Sequence, residues 1–300
     1  MPFTLSHPAA TLPFMRPPFV AAALVAGAAA PDMPYFVRAA GIPVTAQSWY
    51  EPFMNATMSH TLTGAIVVAG PYALALYGVA RLAHRPVGAA LPAVAARTAA
   101  EPPGPRPSRP NDPRGASARI RSLAWILLSL LIGIATHVAW DWVVHDDGYV
   151  VNKVAWLSGE LAGSLTWSRA LQHVSTVVGL VAIAVYGWRR RHRLFAGPGE
   201  RRGRVALVGL VAGIVAVAGA FVGTSRWWEE SREHPPGQVI EGVLADAAKG
   251  AGLTLAAAFA VYVAAWWVYW FVTPGAAGSS NRRQPRGRTP VAVTRRRRRG

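Results

Sequence analysis

Five stretches of this 300-residue chain are apolar over the length of a membrane span, and nothing else in it restricts the fold as much. They are Leu62–Ala83, Leu123–Val144, Leu171–Trp188, Val205–Gly223 and Gly252–Val272. About 20 apolar residues in a helix cross a hydrocarbon core roughly 30 Å thick. Backbone groups in lipid must be satisfied within the structure, which leaves helices or closed barrels as the spanning elements. The expected fold is therefore all-α, a polytopic transmembrane helical bundle of about five spans plus an N-terminal half-helix. A composition of 52% hydrophobic and only 15% charged residues fits that class better than a soluble enzyme. The absence of cysteine excludes disulfides and thiolate metal sites, so any metal must be held by His, carboxylate, hydroxyl or backbone ligands.

The half-helix belongs to residues 1–61, an extracytoplasmic or re-entrant segment punctuated by proline. Phe19–Ala30 is apolar but too short to span, and lies between Pro17-Pro18 and Pro31-Asp32-Met33-Pro34. The alternative is a true span continued through Val37, which would bury Asp32. Pro71 predicts a kink in the first span (62–83). Residues 84–121, rich in Pro, Ala and Arg, read as a disordered cytoplasmic linker. Residues 122–188 hold the second and third spans with an outer loop, and 189–204 form a basic cytoplasmic loop. Residues 205–272 hold the fourth and fifth spans, and 273–300 form a disordered tail ending in Arg295–Arg299.

The net charge of +17 would point to nucleic acid in a soluble protein, but here its distribution matters more. The linker (with Arg81), the basic loop and the tail carry eight, seven and nine Lys/Arg, together 24 of the 31. Five spans put all three on one side, so the positive-inside rule places the N-terminus outside and the C-terminus in the cytoplasm. The partners expected are membrane lipids, with anionic headgroups at the Arg tail. Nucleic acid is disfavoured, because the tail lacks interleaved aromatics.

That topology gathers polar residues at one membrane depth. His137, Asp141 and His145 follow each other at i, i+4 on one helix face, flanked by Trp140 and Trp142. His60 opens the first span and His173 the third, while His7 and Asp32 lie in the N-terminal segment, all at the outer side. His and Asp hold Zn²⁺, Mn²⁺ or Fe²⁺ where thiols are absent. The candidate metal ligands are His7, Asp32, His60, His137, Asp141 and His173, with a divalent metal as cofactor, Zn before Mn or Fe. His145 and Asp146 are the candidate acid–base residues. The competing reading is a hydrogen-bonded His–Asp pair holding helices together. For His60 and His173 it is a helix-end imidazole facing water.

The segments Met1-Pro2-Phe3-Thr4-Leu5-Ser6-His7-Pro8, Ala30-Pro31-Asp32-Met33-Pro34-Tyr35-Phe36, Ser59-His60-Thr61 and His137…Asp141 resemble an uncharacterised bacterial integral-membrane family, domain of unknown function 4184. The resemblance covers roughly residues 1–190 and implies the bacterial inner membrane. A more distant similarity is to inner-membrane metal-dependent hydrolases and, beyond them, to the helical zinc phospholipase C fold. It implies phosphoester chemistry at the His/Asp set. The chain departs from that pattern at Met33-Pro34, where a second carboxylate is missing, and at Val177, where a second His-x-x-x-acid pair is missing.

The leading expectation is a membrane protein with an extracytoplasmic His/Asp metal site that hydrolyses a phosphoester, such as a lipid-linked one. The alternatives are non-enzymatic, an ion- or proton-coupled transporter or a scaffold. Polar groups at one face instead of mid-span, and no inverted repeat, argue against transport.

Overall fold

The computed structural model describes residues 4–39, 42–45, 47–90, 113–145, 148–163, 165–190, 199–225, 227 and 236–273. The chain begins with a 3₁₀ helix, Thr4–Phe14. Helix α1 is Ala21–Ala29, and a 3₁₀ turn Ala30–Asp32 joins it to α2, Met33–Ala39. The single turns α3 (Glu51–Met54) and α4 (Ala56–Ser59) lead into α5 (Leu62–Val67) and α6 (Ala69–Ala90). Then follow α7 (Pro113–Val144), α8 (Ala155–Ser158), an antiparallel ribbon of β1 (Glu160–Ala162) and β2 (Leu165–Thr166), and α9 (Trp167–Arg189). Helices α10 (Gly199–Thr224) and α11 (Pro236–Val272) complete the order.

Among the described residues, five helices are long and apolar enough to cross a membrane: Leu62–Ala90, Ala116–Val144, Trp167–Arg189, Val205–Thr224 and Gly242–Val272. The chain is a multi-pass, all-α membrane protein, as the apolar runs require. Pro71 lacks an amide hydrogen and cannot bond to Val67, and the first span breaks beside it, between α5 and α6. The helices outrun the apolar stretches. Residues 84–90 and 113–121, expected in the linker, are helical, and 91–112 lie outside the described residues.

The N-terminal segment is a hairpin inside the bundle. Its 3₁₀ helix packs on α9, where the absence of a side chain at Gly179 lets Ser6 approach. The backbone N–H of Val20, at the start of α1, donates to Ser129 Oγ at 3.0 Å, and the Phe19 ring meets Trp125 edge-on. Ser129 and Trp125 lie about 12 and 18 Å along α7 from His137, at 1.5 Å per residue. At its other end α1 reaches His137 itself, whose Nδ1 contacts the Ala28 carbonyl. The segment thus descends from His7, turns near Pro18 and climbs back to Asp32. With nine residues, α1 is about 14 Å long, half a membrane thickness.

Small residues allow this packing. Ala23, Ala26 and Ala30 of the N-terminal segment meet Ala69 and Ala73 of α6 and Leu130, Ile134 and Val138 of α7 in one core. Gly27 and Gly133 face each other where α1 crosses α7; a Cβ on Gly27 would strike the Leu130 carbonyl, and one on Gly133 the Leu24 carbonyl. Helices α10 and α11 form a separate pair through Gly219, Gly223 and Gly250, the small-residue contact usual between helices in lipid. This pair is tied to α6 by Tyr262, whose hydroxyl donates to the Pro86 carbonyl at 2.7 Å, and by Trp267, whose Nε1 donates to Leu82 at 3.2 Å.

Candidate functional site

Five of the six sequence-predicted ligands come together where α7 ends and the first span begins. His137 and Asp141 are supplied by consecutive turns of α7, and both are buried. His60 caps α4, just before the first span. Asp32 closes the 3₁₀ turn after α1, and His7 comes from the N-terminal 3₁₀ helix. The Ser59 hydroxyl donates to the Pro31 carbonyl at 2.7 Å, fixing the spacing of the neighbouring Asp32 and His60.

Two imidazoles are locked in one tautomer. A carbonyl oxygen can only accept, so His137 donates through Nδ1 to Ala28 (2.6 Å) and His60 through Nδ1 to Ala56 (2.7 Å). Each Nε2 therefore carries a lone pair when the ring is neutral, and the two Nε2 atoms face each other at 3.2 Å. Asp141 Oδ2 lies 3.0 Å from both. Asp32 Oδ1 lies 3.6 Å from His60 Nε2 and 3.5 Å from His137 Nε2. All four residues offer a ligand atom within 4.8 Å of the other three. Neither oxygen of Asp32 or Asp141 receives a well-formed hydrogen bond among the described residues, although all four oxygens are buried. Leaving such groups unmatched costs about 1–3 kcal/mol each, more when charged.

The electrostatics follow from this crowding. Burial opposes the charge on Asp32, but His137, His60 and the Thr4 hydroxyl outweigh it and hold the carboxyl well below the usual range. Burial likewise opposes a charge on His60, yet Asp141 and Asp32 outweigh it and lift the imidazole to about 10. His7 goes the other way, down to about 4, because burial and the neighbouring His137 outweigh Asp141 and Asp32. Its ring stacks on His137 with centroids 3.7 Å apart, and its Nε2 lies 3.6 Å from Asp141 Oδ1.

The remaining candidates fall differently. His145 Nε2 lies 3.5 Å from Asp141 Oδ1. His173 is exposed on α9 and stands outside the group of four. Asp146 lies outside the described residues. Reading the sequence for ligands passed over the supports: Ser59, the Ala28 carbonyl and the glycine pair that brings α1 against α7. The glycines were a signal, since one inside a helix costs roughly 1 kcal/mol against Ala and calls for a packing reason.

Fold and site define the class: a multi-pass helical membrane protein with a buried His/Asp group that could hold a metal ion at one end of its bundle. The chain belongs to the family described as a domain of unknown function (DUF4184), which matches residues 1–264 and so reaches past the N-terminal 190 into the fifth span. No curated protein and no solved structure matches it.

Proposed function

We propose that the group binds a divalent metal ion, Zn²⁺ ahead of Mn²⁺ or Fe²⁺, and that the protein is a metal-dependent hydrolase of phosphoesters, lipid or lipid-linked, at the extracytoplasmic membrane face. One observation carries the metal. Ligands 2.0–2.1 Å from a tetrahedral ion stand about 3.3 Å apart. The five separations among His60 Nε2, His137 Nε2, Asp141 Oδ2 and Asp32 Oδ1 given above run from 3.0 to 3.6 Å. Two carboxylates and a divalent cation are also neutral together, which suits a buried site. Both Nδ1–H···O=C bonds are the outer support that metal-bound imidazoles use.

A bound divalent ion supplies a Lewis acid and a water acidified to near neutral pH. Hydrolysis is favoured by the position of the site, at the end of two spans where a headgroup is reached from the membrane surface. The outer orientation rests on the distribution of Lys and Arg.

The test is elemental mass spectrometry of the detergent-purified protein beside a His137→Ala/Asp141→Ala variant of unchanged size-exclusion profile. One Zn, Mn or Fe per chain, lost in the variant, supports the site and leads to a screen of phosphomonoester and phosphodiester lipids. No metal after reconstitution would sink it. Metal without hydrolysis would leave the ion as a clamp between the first two spans.

A further inference from the structure

A groove that shares no residue with the His/Asp group runs along α1, between α6 and α9, and encloses about 550 Å³. Ala22, Val25 and Ala29 form its floor, at helical spacing on the face of α1 turned from α7. Leu76 and Ala80 of α6 form one wall, and Tyr186 and Gly187 of α9 the other. Six of its 11 lining residues are Ala or Gly. At Gly27 and Gly133 a missing side chain lets two helices touch, but a Cβ on Gly187 would meet nothing within 4 Å. Small residues here leave space instead of closing it.

One end of the groove is cationic. Arg190, the residue after α9, is the one charged group in the lining. It lies about 16 Å further along α9 than Gly179, where Ser6 packs, and so at the hairpin-turn end. Its guanidinium is held 4.2 Å from the Tyr186 ring centroid, and no carboxylate pairs with it among the described residues. Arg16 follows Met15 at the hairpin turn, and His84 follows Ala80 by one turn of α6; both are exposed. Three elements thus bring basic residues to the same end.

An apolar slot with a cation at one end is complementary to an amphiphile with an apolar tail and an anionic head. The slot follows α1 from Ala22 to Ala29, about 11 Å, within the roughly 15 Å that one leaflet contributes to the hydrocarbon core. Arg can give a phosphate two parallel hydrogen bonds, and basic pockets between spans are where anionic headgroups bind. A soluble anion would match Arg190 but leave the apolar floor uncovered. A zwitterionic lipid would match the floor but bring its own cation to Arg190.

We propose that the groove holds one anionic phospholipid, its acyl chain along α1 between α6 and α9 and its phosphate on Arg190. With its phosphate at the hairpin-turn end, this lipid is a resident of the bundle and not a substrate of the His/Asp group. It fills the gap beside an α1 too short to span. The proposal does not rest on the metal site.

The experiment uses the full chain in detergent, delipidated and titrated with phosphatidylglycerol or with phosphatidylcholine of the same acyl chains. Native mass spectrometry counts the lipids bound. The wild type should bind one phosphatidylglycerol at least about fivefold more tightly than phosphatidylcholine, the worth of one Arg beside an anionic headgroup. Arg190→Gln should abolish that preference. Gly187→Leu should fill the groove and lose the tight lipid; Leu is the better helix former, so folding would not explain the loss. Arg85→Gln removes the guanidinium over Trp267 and Trp270, on another face of α6, and should change nothing. Inorganic phosphate should not displace the lipid. Equal binding of the two lipids by the wild type overturns the headgroup contact. A preference kept in Arg190→Gln or Gly187→Leu, or lost equally in Arg85→Gln, overturns the groove as its seat. Displacement by inorganic phosphate overturns the part given to the acyl chain. A dimer that binds no lipid would make a second copy of the chain the occupant and overturn the proposal.

Discussion

His60 is the residue whose charge state most directly reports on the site. Without a metal, Asp141 and Asp32 keep its imidazole protonated up to about pH 10, against an ordinary value near 6.5. A metal ligand must be deprotonated, so binding displaces that proton. Apparent metal affinity should therefore rise at least about tenfold per pH unit across the neutral and mildly alkaline range and level off near pH 10. The metal-free chain should behave in the opposite sense. A raised folded pKa stabilises fully below the unfolded value and ceases to do so as pH climbs through the folded one. Thermal unfolding of chelated and metal-loaded protein from pH 6 to 10 checks both: the loaded form gains on the chelated form as pH rises. A pH-independent difference would remove His60 from the ligand set. Ser59 gives a second test. Ser59→Ala loses the bond to Pro31, a cost of about 1 kcal/mol in stability. As an outer support, its loss should weaken metal binding about 10- to 100-fold, read by calorimetric titration. The site was legible in sequence where helix periodicity fixes the answer: 137, 141 and 145 share a face in any helix. His173 shows the limit. Ser168, Gln172 and Gly179 mark the buried face of α9, and His173 is turned about 100° from Gln172. Charge and hydropathy bear on position along a span, but rotation about the axis depends on neighbours that a single sequence does not reveal.

Between elements, the crossing of α1 over α7 makes the site, and the pairing of α10 with α11 leaves it alone. Gly133 meets the backbone of α1, and one turn further along α7 His137 takes the Ala28 carbonyl. Gly133→Leu should force the helices apart, cost roughly 1–3 kcal/mol through overpacking, and abolish metal retention by removing that carbonyl. Gly250→Leu should disrupt the contact with Gly219 and Gly223 at similar cost yet leave metal content unchanged, because that pair joins the bundle through α6. Metal per chain, measured beside the unfolding temperature, separates the two; equal metal loss in both would mean that the site depends on global stability alone. The elements themselves were legible as apolar runs, because lipid demands them. Their ends were not. Hydropathy marks where lipid contact stops, whereas a helix stops where its hydrogen bonds do. Helix α6 continues to Ala90 through Pro86, a residue that ordinarily ends or kinks a helix. Pro113 and Pro236 fit a first helical turn, where no amide hydrogen is needed, so α7 and α11 start well before their apolar stretches.

The whole molecule is polar in the sense of having two unlike ends. The His/Asp group lies where α5 begins and α7 stops. At the other end of α6, the Arg85 guanidinium sits over the rings of Trp267 and Trp270, about 6 Å from each centroid, and α9 finishes at Arg189. The regions next to that end in sequence carry 24 of the 31 Lys and Arg. Moving so many cations through a bilayer during insertion is unfavourable, and the positive-inside bias is the ground for the proposed cytoplasmic side. The re-entrant N-terminal hairpin adds no crossing, since His7 and Asp32 both sit at the site. With the basic regions inside, as proposed, five crossings would put the N-terminus and the site outside and the C-terminus inside. The chain has no cysteine, so a single introduced thiol can be read without background. Trp49, 83% exposed, lies in the stretch that leads to His60. Trp49→Cys should react with a membrane-impermeant maleimide on intact cells, whereas Ser279→Cys in the tail should react only after lysis. The reverse pattern would put the site in the cytoplasm, exclude a substrate from the outer leaflet, and require that the basic segments crossed the membrane against their charge.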